Sequence, residues 1–325
     1  MPSVTIEARH EAWPLREAFV ISRGAKTAAD VVVVEVSDGE HIGRGEAVPY
    51  ARYGETVEGV LDAIRSAAVQ IASHADLADR LKPGAALNAL DCAFWDLESK
   101  QTGVRVSERA GLPEPAAKIT AFTLSLDAPE VMAEKATRAS HLPLLKLKLG
   151  GAGDDARMRA VRAARADAHL VVDANEAWTG ETILPLLHVA AECGVELVEQ
   201  PLPAGQDGLL RDIPHLVPLC ADESFHTADD IPSLLGLYDA VNIKLDKAGG
   251  LTGAIRAIAE ARRHGLKIMV GSMVGTSLAV APAMLLAPCA DWIDLDGPLL
   301  LAHDRDHGLR IADGLIRPPA PLLWG

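Results

Sequence analysis

From residue 119 onward, short apolar runs alternate with longer stretches in which apolar positions recur every three to four residues. Eight runs have the length and bounding residues of buried strands: ITAFTLSL, LLKLKL, HLVVDA, ELVEQ, PLCAD, AVNIKL, LKIMVG and WIDLD. Between them, the helical period predicts helices over 129–140, 154–166, 179–193, 228–235 and 251–264. Such alternation calls for a parallel sheet. WIDLD is followed by loop-like sequence, so the predicted fold class is α/β, a (β/α)7β barrel of the TIM type. The first hundred residues read differently. Weak alternation at 4–9, VVVVEV at 31–36 before the turn signal Ser37-Asp38-Gly39, and HIGRGEA at 41–47 predict an antiparallel meander. Helical periodicity follows over 56–73 and 85–100, and residues 19–26 between the first two strands are expected to be a loop with two cations. The predicted organisation is an N-terminal α+β capping domain over 1–115, a barrel over 116–313 and a Pro- and Leu-rich tail over 314–325.

Composition narrows the partners. At 325 residues, 49% apolar and 23% charged, the chain has the make-up of a soluble globular protein with a substantial core. Its net charge of −14 disfavours nucleic acid or an anionic membrane as partner, since both demand a positive face. The uncharged stretch 268–290 is long enough to span a membrane, but Gly271, Gly275, Pro282 and Pro288 break it into a strand and a small-residue helix. Cys92, Cys193, Cys220 and Cys289 have no CxxC spacing and lie in apolar segments, as expected of reduced core residues. The opening MPSVTIEARHEAW has no secretion-signal layout, so the expected compartment is the cytoplasm.

The chemistry sits at strand ends. LLKLKL, VVDAN, ELVEQ, LCADES and VNIKLDKAGG end in charged residues in the order Lys148, Asp173, Glu199, Asp222, Lys244. The steps are 25, 26, 23 and 22 residues, each the length of one strand, one helix and two short loops. In a parallel barrel these ends converge on one mouth. Three hard oxygen ligands suit Mg²⁺, and the lack of His or Cys among them argues against zinc. Lys146 and Lys148 alternate with leucines, so both point to the same face of their strand. An exposed edge strand would also accommodate them, and a salt bridge to Asp246 would account for Lys244. Each carboxylate alone could be a helix cap or a solvated loop residue. The 11 histidines are scattered, and His226 reads as structural. No GxSxG, P-loop or dinucleotide-binding glycine pattern occurs.

The ordered set KxK, DxN, E, D and NIKxxKxGG resembles the muconate-lactonizing subgroup of the enolase superfamily, in which Lys or His bases work with Mg²⁺. Within it, Asp294-Leu295-Asp296-Gly297-Pro298 is similar to the Asp-x-Asp segment of the L-Ala-D/L-Glu epimerases. The likeness runs from AWPLREAFVISRG to DLDGP, nearly end to end. It implies Mg²⁺-dependent epimerisation of a dipeptide by 1,1-proton transfer, in murein peptide metabolism. Lys148 and Lys244 would be the acid/base pair, one Mg²⁺ would sit on Asp173, Glu199 and Asp222, and Lys146 would bond the substrate carboxylate. Asp294 and Asp296 would receive the dipeptide's ammonium, although a plain turn explains DLDGP equally. Arg23 would take a glutamate side chain, although a solvated loop arginine is the simpler reading. Asn175 and Glu223 would orient the ligands, Tyr50 and Tyr53 would help close the site, and the tail would return to the capping domain. Homo-oligomers are common in the family. The same scaffold also carries o-succinylbenzoate synthases and cycloisomerases, whose substrates offer Asp294 and Asp296 no ammonium. A Schiff-base aldolase would use the lysines but leave the carboxylates unexplained, and a non-catalytic metal- or peptide-binding barrel would not need both lysines.

Overall fold

Strands β1 (Thr5–Ile21), β2 (Gly24–Ser37) and β3 (Ile42–Ala47) form the antiparallel meander. The structure, a computed structural model, describes residues 4–325. VVVVEV fails to alternate because β2 is buried on both faces. Val32, Val34 and Val36 pack against the helices Val57–Ala68 and Ala85–Thr102, whereas Val31 and Val33 belong to the core shared with the barrel. β3 crosses the second helix so closely that a Cβ on Gly43 or Gly45 would fall 2.0 Å from the carbonyl oxygen of Ala93 or Ala89.

Residues 19–26 are not a loop. β1 and β2 pair as far as Ile21 and Gly24, leaving a tip of only Ser22 and Arg23. The sequence there lacks alternation because the hairpin's end is held by the barrel: Leu126 N donates to Val20 O (3.0 Å), and Ser22 Oγ donates to Asn175 O (3.0 Å).

The predicted strand ITAFTLSL splits in two. β4 (Lys118–Ile119) and β5 (Phe122–Leu124) are separated at Thr120, whose hydroxyl accepts from Leu295 N (2.8 Å). The remaining barrel strands are β6 (Leu144–Lys148), β7 (His169–Asp173), β8 (Val195–Glu199), β9 (Leu219–Ala221), β10 (Ala240–Lys244), β11 (Lys267–Gly271) and β12 (Trp292–Asp294). β5 to β12 form one eight-stranded parallel sheet in sequence order, with Ala121 N donating to Ile293 O (2.8 Å) across the seam. β13 (Ile311–Ala312) and β14 (Leu315–Ile316) join β4 in a small antiparallel sheet. The final residues lie on the meander's helix: Trp324 Nε1 donates to Cys92 O (3.1 Å), and Arg44 donates to Leu323 O (2.7 Å).

The helices match the expected order with shorter ends. The predicted 228–235 helix is a 3-10 turn, Ala228–Asp230, running into Ile231–Leu234, and 179–182 form a turn before Ile183–Glu192. A four-residue helix, Gly297–Leu300, follows β12 where loop was expected. The stretch 268–290 folds as β11 and the helix Ser277–Met284, and no helix among the described residues is long and apolar enough to cross a membrane. All four cysteines are free, and Cys289 is half-buried rather than in the core.

Alternation along each barrel strand positions the site. Leu144, Val171, Leu197, Cys220, Ala240 and Met269 form an apolar floor inside the barrel. The side-chain period is two, so the inward positions above that floor are Lys146 and Lys148, Asp173, Glu199, Asp222, and Asn242 and Lys244.

Candidate active site

Lys148, Asp173 and Glu199 are register partners at the ends of three adjacent strands. Asp222 follows the end of β9, and Lys244 ends β10. The carboxylates of Asp173, Glu199 and Asp222 are buried and offer oxygens within 4.8 Å of one another. Two lysines approach from opposite sides: Lys148 Nζ donates to Asp173 Oδ2 (2.6 Å), and Lys244 Nζ donates to Asp222 Oδ2 (2.8 Å). Lys146, below them, donates to Asp294 Oδ2 (2.7 Å) and lies 3.3 Å from Asp173 Oδ2. It also lies 2.6 Å from Glu199 Oε2 but out of line for a hydrogen bond, so that buried oxygen has no aligned donor. Three hard oxygen donors, one of them orphaned, fit a hard divalent cation, and no soft ligand intrudes. The alternative salt bridge of Lys244 to Asp246 does not form. Asp246 Oδ1 instead accepts from Val48 N and Asn88 Nδ2, both at 2.9 Å.

The protein's own charges set the protonation of this cluster. Burial works to lower the Lys244 ammonium, but Asp222 and Glu199 outweigh it and hold it well above the ordinary lysine range. Lys146 is raised in the same way, with Asp294 and Glu199 overcoming burial. Both ammoniums sit among more carboxylates than cations. Burial would raise Asp222, but Lys244 and Lys247 drive it well below the usual carboxylate range. Glu199, buried and close to Asp173, is pushed up to about 7.

Above the cluster is a cavity of about 440 Å³ between the barrel mouth and the hairpin tip. Asp294 and Asp296 line one side, both 6% exposed. Asp296 Oδ2 accepts from Thr123 N (2.6 Å), while Asp294 Oδ1 is buried without a partner. Burial and the neighbouring Asp294 raise Asp296 to about 7. The pair is therefore an acceptor pocket rather than a solvated turn. At the other side, Arg23 donates to Glu223 Oε1 (2.7 Å), Glu176 Oε2 (3.0 Å) and Asn175 O (3.0 Å). Asn175 N donates to Asp173 Oδ1 (2.9 Å), and its Nδ2 reaches Glu223 Oε1 at 3.4 Å. Asn175, Glu176 and Gln200 hold left-handed backbone (φ 44°, 67° and 34°), strain concentrated just past β7 and β8. Tyr50 lines the cavity, and Tyr53 packs between Tyr50 and His226, with ring centroids at 5.3 and 4.5 Å.

Three buried residues support the carboxylates: Asn242 and Lys247, which stand in the NIKxxKxGG motif without an assigned role, and Gln200. Lys247 Nζ donates to both Asp222 Oδ1 and Asp222 O at 2.6 Å. Asn242 Nδ2 donates to Glu199 Oε1 (2.7 Å), in space left by Gly271, where a Cβ would meet Asn242 Oδ1 at 2.5 Å. Gln200 Oε1 accepts from Asp222 N (2.9 Å) and Ser224 N (3.1 Å). Strand parity signals Asn242, two positions before Lys244 as Lys146 is before Lys148. Lys247 follows the strand, where parity no longer applies.

Comparison with known proteins places this geometry. Over 315 residues the chain is 42% identical to the L-Ala-D/L-Glu epimerase of Escherichia coli K12, covering 95% of this chain and 98% of that one. It is 43% identical over 300 residues to an N-acetyl-D-glutamate racemase of a Pseudoalteromonas species, covering 91% and 95%. Among solved structures, an enolase family member from Agrobacterium tumefaciens with homology to dipeptide epimerases, bound to sodium and L-Ala-L-Glu, shares 49% identity. Its TM-score is 0.97, and the match covers 99% of this chain and 100% of that one. The Enterococcus faecalis dipeptide epimerase complexed with Mg and L-Leu-L-Tyr shares 28% identity at a TM-score of 0.89, covering 99% of each chain. Residues 3–111 match the mandelate racemase / muconate lactonizing enzyme N-terminal domain and residues 131–321 the enolase C-terminal domain-like family. The chain belongs to the mandelate racemase / muconate lactonizing enzyme family of the enolase superfamily.

Proposed function

We propose that this chain is a dipeptide epimerase that interconverts L-Ala-L-Glu and L-Ala-D-Glu. The observation that carries the reading is the pair of buried lysines, Lys148 and Lys244, bonded from opposite sides to one carboxylate triad. Asp173, Glu199 and Asp222 would hold Mg²⁺, which would supply positive charge beside the substrate carboxylate and take up carboxylate charge that otherwise raises Lys146 and Lys244. One lysine, as the neutral amine, removes the α-proton of the glutamate residue. The electron pair left behind moves into the substrate carboxylate as an enediolate, which Lys146 stabilises by hydrogen bonding. The other lysine, as the ammonium, returns a proton to the opposite face. The reverse reaction exchanges the two roles. Asp294 and Asp296 would receive the substrate's ammonium, Arg23 would border the glutamate side chain, and Asn175 and Glu223 would hold Asp173 and Arg23 in place. Four free thiols support a reducing, cytoplasmic setting.

A racemase of N-acylated glutamate would use the same lysines, and the Pseudoalteromonas relative keeps that reading in view. It differs at Asp294 and Asp296, which would then face an uncharged amide. Two buried carboxylates, one with an unpartnered oxygen, favour the ammonium. The test is proton NMR in D₂O with Mg²⁺, offering L-Ala-L-Glu and N-acetyl-L-Glu separately. Deuterium at the α-carbon with growth of the D-Glu diastereomer, stopped by a chelator and restored by added Mg²⁺, is the expected result. Exchange of the N-acetyl compound alone would replace the dipeptide with the acylated amino acid. No exchange in either would remove the epimerase reading.

A further inference from the structure

Outside the cavity, four side chains form a hydrogen-bonded cluster: Gln200 just past β8, Asp207 in the connection to β9, Ser224 beyond β9 and Tyr238 ahead of β10. None of them lines the cavity, so any effect they have on the reaction passes through other residues. Asp207 stands apart within the cluster. It is buried, and among the described residues no cation lies within ion-pair distance of it. The donors on its Oδ2 are two hydroxyls, Ser224 Oγ (2.5 Å) and Tyr238 OH (2.8 Å). Burying a carboxylate without a cation is a poor route to stability, so its role lies in what those two bonds fix.

Counting hydrogens shows what that is. Each hydroxyl has one hydrogen, and both hydrogens are given to a carboxylate oxygen that only accepts. The two hydroxyl oxygens therefore present lone pairs alone to Gln200 Nε2, which donates to Ser224 Oγ (2.8 Å), Tyr238 OH (2.9 Å) and Leu202 O (2.9 Å). With the amide nitrogen held on that side, Oε1 faces the other way and accepts from Asp222 N (2.9 Å) and Ser224 N (3.1 Å). Two members of the carboxylate triad meet at this amide. Gln200 follows Glu199 in the chain, and its own N donates to Cys220 O (2.8 Å). Its left-handed backbone, at φ 34°, is a conformation that a residue with a side chain keeps only when its surroundings over-determine it.

We infer that Asp207 is a positioning residue of the metal centre. Through the two hydroxyls it holds the Gln200 amide, and Gln200 in turn sets the spacing of Glu199 and Asp222 before the metal arrives. The inference rests on Asp173, Glu199 and Asp222 being the metal site and not on the identity of the dipeptide.

The experiment is calorimetric titration of the metal-free protein with Mg²⁺, in the wild type, Asp207→Ala, Asp207→Asn, Gln200→Ala and the Gln200→Ala/Asp207→Ala double variant. Asp207→Ala should raise the Kd for Mg²⁺ about tenfold or more, the effect expected when a residue that orients a metal ligand is lost. Asp207→Asn should recover most of the affinity, because its carbonyl oxygen can accept both hydroxyl hydrogens. Since Asp207 acts through Gln200, the double variant should bind Mg²⁺ as Gln200→Ala does. An unchanged Kd in Asp207→Ala overturns the inference, even if its melting temperature falls, because Asp207 would then serve the fold alone. A double variant whose loss is the product of the two single losses overturns it as well. Should Asp207→Ala not fold, Tyr238→Phe deletes one of the two hydroxyls and keeps the ring. It too should weaken Mg²⁺ binding, and wild-type affinity there overturns the inference. Each of these failures leaves the epimerase reading standing, whereas a wild type that binds no Mg²⁺ removes the metal site and the inference together.

Discussion

The two sides of the catalytic cleft carry the same kind of residue and are built differently. Lys148 meets a single carboxylate, Asp173, and the loop beyond it is held within the barrel: Asp154 accepts from Gly150 N (3.0 Å), Gly151 N (2.7 Å), Trp178 Nε1 (2.9 Å) and Arg157. Lys244 meets Asp222, whose other oxygen is held by Lys247. The segment beyond Lys244 reaches out of the barrel, since Asp246 accepts from Val48 N and Asn88 Nδ2 of the meander domain. The segment beyond one lysine is thus tied down within the barrel. The other is shared between domains, so the domain that closes the cavity also helps fix one lysine.

The sharpest way to break this comparison is to remove each lysine. Lys148→Ala and Lys244→Ala should each lower epimerisation by about 10³-fold or more, within the range of lost acid/base catalysis. Each should retain α-deuterium exchange in one diastereomer, and not the same one. Exchange assays begun from L-Ala-L-Glu and from L-Ala-D-Glu read this directly. If both variants keep the same diastereomer, the lysines do not serve opposite faces.

Lys247 tests whether the asymmetry matters. Losing a residue that orients a metal ligand costs about 10- to 100-fold. Lys247→Met should take that loss mainly in exchange of the diastereomer that depends on Lys244, and in Mg²⁺ affinity measured by calorimetry. Lys247→Arg, keeping a cation against Asp222, should restore part of both. Equal losses for the two diastereomers would make Lys247 a general support of the barrel and erase the distinction between the sides.

How much of this was legible in the sequence follows from which physical rule fixes each residue. The barrel and the charged strand ends could be read because side-chain parity and βα spacing are local. Lys146, Lys148, Asp173, Glu199, Asp222 and Lys244 all obey them, and the structure gathers all six around one cavity floor. Lys247 escaped because its contact with Asp222 depends on how a four-residue helix, Leu245–Ala248, turns back over the strand end. The hairpin at 19–26 escaped for a similar reason. Its strands are held together by the barrel mouth beneath them, and nothing in FVISRGAK alternates to announce it. Arg23 was found as a cation near the site, but its partners Glu176 and Glu223 lie 153 and 200 residues away, beyond any local rule.

Asp246 carries the smallest expected effect on turnover and a definite one on stability. Asp154, its counterpart beyond Lys148, has Arg157 beside it. Asp246 has two neutral donors on one oxygen and no ion-pair partner among the described residues. Burial accordingly raises its carboxyl to about 7. In the unfolded chain it titrates near 3.9, so between those values the folded protein binds the extra proton. Stability contributed by this group therefore falls as pH rises through that window, by about 1.4 kcal/mol per pH unit, and levels off above the folded value. Asp246→Asn keeps an oxygen for Val48 N and Asn88 and carries no charge to bury. Denaturant unfolding of both proteins at a series of pH values should show the variant gaining on the wild type from about pH 4 to pH 7, then a constant gap. Parallel curves would mean that Asp246 ionises in the folded protein as it does in the unfolded chain. The link from Lys244 to the meander domain would then carry no buried-charge penalty, and the two sides of the cleft would differ in geometry alone.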